Sequence, residues 1–125
     1  MKIVFYNETL MSGGIEKCIE TLIEQLYLNH TIEIVYTDEK KLDPQIVSVL
    51  KKRANVHKLN LTETVIADVC VWCRLYMDYE ILSKQIRAKR NFLWVHSKPR
   101  ERENCILDSE KFLKNIDTVN NFNFL

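Results

Sequence analysis

Apolar residues along this chain switch between two spacings, and the switches divide it into short elements. Residues 2–6 carry Ile3, Val4, Phe5 and Tyr6 almost without interruption, the pattern of a strand buried on both faces. From Ile15 the spacing lengthens. Ile15, Ile19, Leu22, Ile23 and Leu26 fall on one stripe of a helix, with Glu16, Lys17, Glu20, Thr21, Glu24 and Gln25 on the other. Ser12 is placed to cap that helix and Asn29 to end it in a left-handed conformation. Residues 31–37 predict a second strand built on Ile32, Ile34, Val35 and Tyr36. Asp43 and Pro44 then open a helix that runs to about Arg53.

A short third strand is expected at residues 55–61, and a fourth, the most apolar, at 67–73. Residues 77–89 predict a helix that turns Ile81, Leu82 and Ile86 inward, and residues 91–96 a fifth strand with Phe92, Leu93, Trp94 and Val95. Beyond the break at Pro99 come a short helix at 108–114 and the start of a sixth strand at 117–119. Alternating apolar strands and helices imply an α/β fold: a doubly wound, mainly parallel Rossmann-like sheet covered on both faces. Right-handed crossovers would bring every strand's C-terminal end to one edge. Ligands bind at that edge, where strand order reverses.

Composition narrows the picture. A chain of 125 residues, 46% apolar, suits one small domain, and a formal net charge of +1 gives no argument for nucleic acid. No run approaches the roughly 20 apolar residues that span a bilayer, and the opening apolar run is too short for a signal peptide. A cytoplasmic location is expected. Without a secretion signal, Cys18, Cys70, Cys73 and Cys105 are not expected to form a disulfide framework. Cys70 and Cys73 form a C-x-x-C pair, but no second pair at similar spacing completes a metal site. Redox pairs sit at helix starts, whereas this pair lies in a strand, where positions three apart face opposite ways. Buried core thiols are the expectation.

Two features reach the strand C-terminal edge. The only two glycines are Gly13 and Gly14, between the first strand and first helix, where average usage would scatter about nine along such a chain. Glycine tolerates positive φ and carries no Cβ. A glycine turn before a helix N-terminus suits a phosphate-bearing ligand, or simply lets strand and helix pack closely. The second feature is His96, at the end of the fifth strand, placed to bond a sugar hydroxyl or phosphate, to move a proton, or to cap the strand end. Around it lie Lys84, Arg87, Lys89 and Arg90, then Lys98, Arg100 and Arg102 with Glu101 and Glu103 between them. That set is either a solvated face or a contact for anionic lipid or a phosphorylated acceptor.

Known phosphate motifs fit unequally. A Walker A loop fails, because Gly14 is followed by Ile15, Glu16, Lys17 and Cys18. A dinucleotide fingerprint lacks its third glycine, although Asp38 sits about where a ribose-binding acid would be. A receiver domain needs an acidic cluster, which Glu8 alone does not supply.

The opening from Met1 to Asn7, then Ser12-Gly13-Gly14-Ile15-Glu16-Lys17 and the amphipathic helix, resembles the N-terminal domain of family-4 (group 1) retaining glycosyltransferases of the two-domain GT-B type. Trp94-Val95-His96-Ser97 is similar to that family's strand-five His motif, and the resemblance covers residues 1–119. It implies transfer of a sugar from a nucleotide-diphosphate sugar to a glycan or lipid-linked acceptor, at the inner face of the membrane or in the cytoplasm. Gly13 and Gly14 would approach the donor's phosphates or sugar, and His96 would act as the catalytic contact to the transferring sugar. Lys98 and Arg100 would meet the acceptor or another anion. No cofactor or metal is implied. The family's C-terminal donor-binding domain has no counterpart here, and residues 120–125 do not match the expected continuation. The expectation is an incomplete N-terminal half, from truncation, a frameshift or a partial sequence, inactive alone, for which a partner polypeptide could supply the C-terminal domain. A non-catalytic half-enzyme or partner-binding module and a small dinucleotide-binding domain are the alternatives.

Overall fold

A computed structural model of the chain describes residues 1–73, 79–94 and 123–124. The described elements run β1 (Lys2–Tyr6), α1 (Gly14–Leu26), β2 (Thr31–Tyr36), α2 (Pro44–Lys51), β3 (Asn55–Lys58), β4 (Val65–Cys73), α3 (Tyr79–Leu82), β5 (Ile86–Trp94) and β6 (Asn123–Phe124). All strands pair parallel in one sheet ordered β3-β2-β1-β4-β5-β6. This is an α/β fold compatible with a Rossmann-like domain. Strand order runs one way from β1 through β2 to β3 and then resumes on β1's other side with β4.

Strand alternation sorts the core onto two faces. Ile3, Phe5, Ile32, Ile34 and Val56 join Ile19 and Ile23 of α1 and Leu50 of α2, so both long helices cover the same face. Val4, Tyr6, Val35, Cys70, Trp72 and Leu93 pack on the other, with Leu59 and Leu82. Trp72 has no exposed surface, and its ring centroid lies 5.6 Å from that of Tyr6. Its indole N–H donates to Asn91 Oδ1 at 2.9 Å, so the largest core side chain leaves no buried donor unmet. The two helices are also tied to each other. Arg53, just past α2, bonds Glu24 of α1 at 3.1 Å and lies 4.9 Å above the Tyr27 ring.

The alternation slips once in β4. Val65 and Ala67 share the second face with Cys70 and Trp72, while Val69, Val71 and Cys73 belong to the helix face. β5 slips at the same level: Ile86 and Ala88 share a face with Leu93. Because both strands shift together, the pairing register is the same before and after, from Val65 with Ile86 to Cys73 with Trp94. Asp68 stands at the slip. One of its carboxylate oxygens accepts the Lys2 N–H at 2.8 Å, and the other is 3.3 Å from Lys89 Nζ. Both contacts hold its carboxyl below the usual carboxylate value, the Lys2 bond most of all.

From β3 the chain crosses to β4 in six residues, 59–64, without a helix. Leu59 is buried under that crossing, and its N–H bonds Tyr36 O at 2.8 Å. The Gln85 side-chain amide then holds the strap, donating toward Asn60 O at 2.7 Å and toward Leu61 O and Glu63 O at 3.2 Å. Beneath it runs a charged row: Lys2 to Glu33 at 2.9 Å, Glu33 to His57 at 3.3 Å, His57 to Glu63 at 3.2 Å. These contacts have poor hydrogen-bond angles, since Glu33 Oε2 and His57 Nε2 have no hydrogen-bond partner among the described residues. His57 is thus part of the link between sheet and strap.

Several expectations need correction. Residues 86–89 belong to strand β5, not to a helix, and α3 is only Tyr79–Leu82. Arg87 and Lys89 alternate with buried Ile86 and half-buried Ala88, a two-residue period that the helix-forming residue types obscure. Gly13, not Ser12, is the N-cap of α1, and its C-cap is Tyr27, two residues before Asn29. The third strand stops at Lys58. Of the last six residues the structure describes Asn123 and Phe124, which form β6 and pair with Phe92 and Leu93; the sixth strand foreseen at 117–119 lies outside the described residues. The cap of α2 matches expectation: Asp43 accepts the Gln45 N–H at 2.9 Å, with Pro44 in the first turn.

Candidate functional site

The loop between β1 and α1, residues 7–13, leaves the sheet at its C-terminal edge beside the place where strand order reverses. It is fastened along its length. Asn7 N–H bonds Val35 O at 3.1 Å, and Glu8 O accepts the Thr37 and Asp38 N–H groups at 3.3 and 2.9 Å. Fully buried Leu10 donates to Lys41 O at 3.1 Å and accepts from Asp43 at 2.7 Å. With its backbone bound to the β2–α2 loop, the glycine turn is held in place before any ligand arrives.

The two glycines have different surroundings. Gly13 is extended, with φ of −180° and ψ of 178°, and no side chain caps α1 from it. A Cβ on Gly13 would lie 3.2 Å from Glu16 Oε2, whereas a Cβ on Gly14 would meet no atom within 4 Å. Neither position has the positive φ that only glycine adopts readily, so backbone strain does not explain the pair. Gly13 makes room for a carboxylate, and Gly14 faces open space. Close packing of strand against helix is therefore not what Gly14 serves.

That carboxylate is the residue the sequence misplaced. Glu16 falls on the polar stripe of α1, yet it is 7% exposed. Its Oε1 accepts the Met11 N–H at 3.1 Å and faces Asn7 Nδ2 at 3.5 Å. Three residues after the N-cap, a glutamate reaches back over the preceding loop, as in a capping box, and its charge suits the positive end of the helix. The spacing from Gly13 to Glu16 was the available signal.

A shallow groove of about 490 Å³ opens beside Gly14, lined by Gly14, Lys17, Cys18, Thr21, Leu22 and Trp94. Its floor is mostly hydrocarbon, with the Lys17 ammonium at the rim, 3.6 Å from Glu20. An apolar floor, an aromatic ring and exposed helix-start backbone are chemistry suited to a ligand with a flat ring and a polar end. Trp94 ends β5 two residues before His96. His96, Lys98 and Arg100 lie outside the described residues, so the glycine turn is the part of the expected site that the structure describes.

The C-x-x-C thiols do not join it. Cys70 and Cys73 are fully buried, in the cores of opposite sheet faces, and cannot chelate one ion or pair with each other. Burial pushes both thiols up, and for Cys73 the Glu16 charge adds to the effect. Among the described residues, no group of three His, Cys, Asp or Glu side chains is placed to hold a metal ion. Asp38, the alternative ribose-binding acid, accepts the Lys40 N–H at 3.1 Å within its own turn. No described helix is long and apolar enough to cross a membrane. Compared with known protein families and with curated proteins, the chain matches none.

Proposed function

We propose that this chain is the doubly wound, GT-B-type N-terminal half of a retaining sugar transferase, with the β1–α1 turn facing a nucleotide-diphosphate sugar. The observation that supports it most is the open face at Gly14, on a fastened loop at the edge where strand order reverses. Gly14 begins α1, so a diphosphate or sugar can approach backbone N–H groups there without meeting a side chain. As the sugar–phosphate bond breaks, positive charge develops on the sugar and negative charge on the leaving diphosphate. Fixed N–H groups stabilise the latter without reorganising. Glu16 holds the loop in shape; being anionic and turned inward, it is a positioning residue and not a ligand contact. A second polypeptide or domain would supply the remaining donor contacts, and His96 would touch the transferring sugar.

Calorimetry with UDP-sugars and with NAD tests this reading, using the intact chain and a Gly14→Leu variant that fills the open space. UDP-sugar binding that the variant loses, with its circular dichroism unchanged, is the expected result. Tight NAD binding without a UDP-sugar response would assign the turn to a dinucleotide instead.

A further inference from the structure

The slip in β4 and β5 has a result at the opposite end of the sheet. On the helix-covered face it places Asp68 and Val69 side by side in β4 and pairs Val69 with Arg90 in β5. Ile66 pairs with Arg87 one step below. Arg87, Lys89 and Arg90 are all exposed, and Lys89 keeps 82% of its side-chain surface despite facing Asp68. With Met1, Asp68, Val69 and Phe92, Lys89 and Arg90 line a concavity of about 440 Å³. Among the described residues, Asp68 is the only carboxylate in that lining. Beside these cations stand two apolar side chains open to solvent, Met1 at 62% and Ile66 at 69%.

We propose that this patch docks the protein on an anionic lipid bilayer. Three cations spaced along one strand from residue 87 to 90 spread over roughly 10 Å, too far to converge on one phosphate but well suited to neighbouring headgroups. The exposed apolar tips have no use toward a soluble anion; at a bilayer they enter the interface while the cations stay at phosphate depth. The patch lies at the N-terminal end of the strands, away from the glycine turn, so docking leaves the candidate site facing away from the lipid. The proposal is independent of what that site binds.

Co-sedimentation of the full chain with vesicles of phosphatidylcholine, alone or mixed with phosphatidylglycerol, decides it. Binding is expected only to the mixed vesicles, and it should weaken as salt rises. Arg87→Gln, Lys89→Gln and Arg90→Gln should each lower partitioning about fivefold, and about a hundredfold together. Ile66→Ser should lower it severalfold without changing the salt dependence. Equal binding to both vesicle types, binding to neither, or an unaltered partition for a correctly folded triple variant overturns the proposal. So does binding to single-stranded RNA without binding to vesicles. If the triple variant unfolds, the salt dependence of the unaltered chain decides the matter alone.

Discussion

Glu16 and Gly13 form a fitted pair: the carboxylate of one lies 3.2 Å from the point where a side chain on the other would begin. The same carboxylate accepts the Met11 N–H, so the shape of the β1–α1 turn depends on it. Glu16→Ala strands that N–H and Asn7 beside a void, and should cost about 1–3 kcal/mol of stability. Glu16→Gln keeps the accepting oxygen and should recover most of the loss. Denaturant unfolding of both variants measures the difference, and an unchanged midpoint for the alanine variant would remove Glu16 from this role.

The two glycines should respond differently to alanine. Gly14→Ala meets open space at an ordinary helical position and should stabilise the fold by about 0.4–1 kcal/mol. If the turn faces a donor, the same change weakens ligand binding while the melting temperature rises. Gly13→Ala must displace Glu16 Oε2, the end of a flexible side chain, so it should lower stability modestly. Thermal melts paired with ligand titrations separate the two effects.

Asp68 predicts a dependence on acid. Its carboxyl is held below the ordinary 3.8 in the folded chain, so the stability it contributes is complete above that value and lost as pH falls through the lowered one. Asp68→Asn should melt earlier than the unaltered chain at neutral pH, and the gap should close on strong acidification. A gap that persists unchanged in acid would mean that charge at Asp68 is not what matters.

Thiol chemistry offers a fourth check. Cys18 is exposed, whereas Cys70 and Cys73 are buried and disfavoured as thiolates. Peptide mapping after brief alkylation should find Cys18 modified in the folded chain and Cys70 and Cys73 modified only in denaturant.

The strands β1 to β3 and the helices α1 and α2 could be read from apolar spacing, and β4 from the length of its apolar run, which survives the slip in its alternation. Two misreadings share a different cause. Glu16 was assigned to solvent by its place on the helical stripe, but the first turn of a helix is also where side chains satisfy backbone donors of the preceding loop. Residues 86–90 are rich in helix-forming Arg, Ala and Lys, and the slip in β5 hides the strand period that Ile86 and Ala88 begin. Tertiary pairing with β4 decides that segment, and pairing partners leave no local mark. The turn at Gly13 and Gly14 was visible as a candidate site, but the distinct surroundings of the two glycines depend on a folded Glu16.

The position of β1 also bears on how the chain is made. Ile3 meets Ile32 on one side and Val69 on the other, so β1 completes its first pairing long before its second partner leaves the ribosome. During that interval the β1–β3 half can fold against α1 and α2 with one side of β1 still presenting unpaired N–H and C=O groups to any passing strand. The short strap of residues 59–64 brings β4 to that open side without waiting for a helix to form, and Gln85 fastens it only afterwards. Slowed translation after β3 has emerged and before β4 leaves the ribosome would prolong the exposed state, making nascent-chain aggregation, not loss of native stability, the first harm.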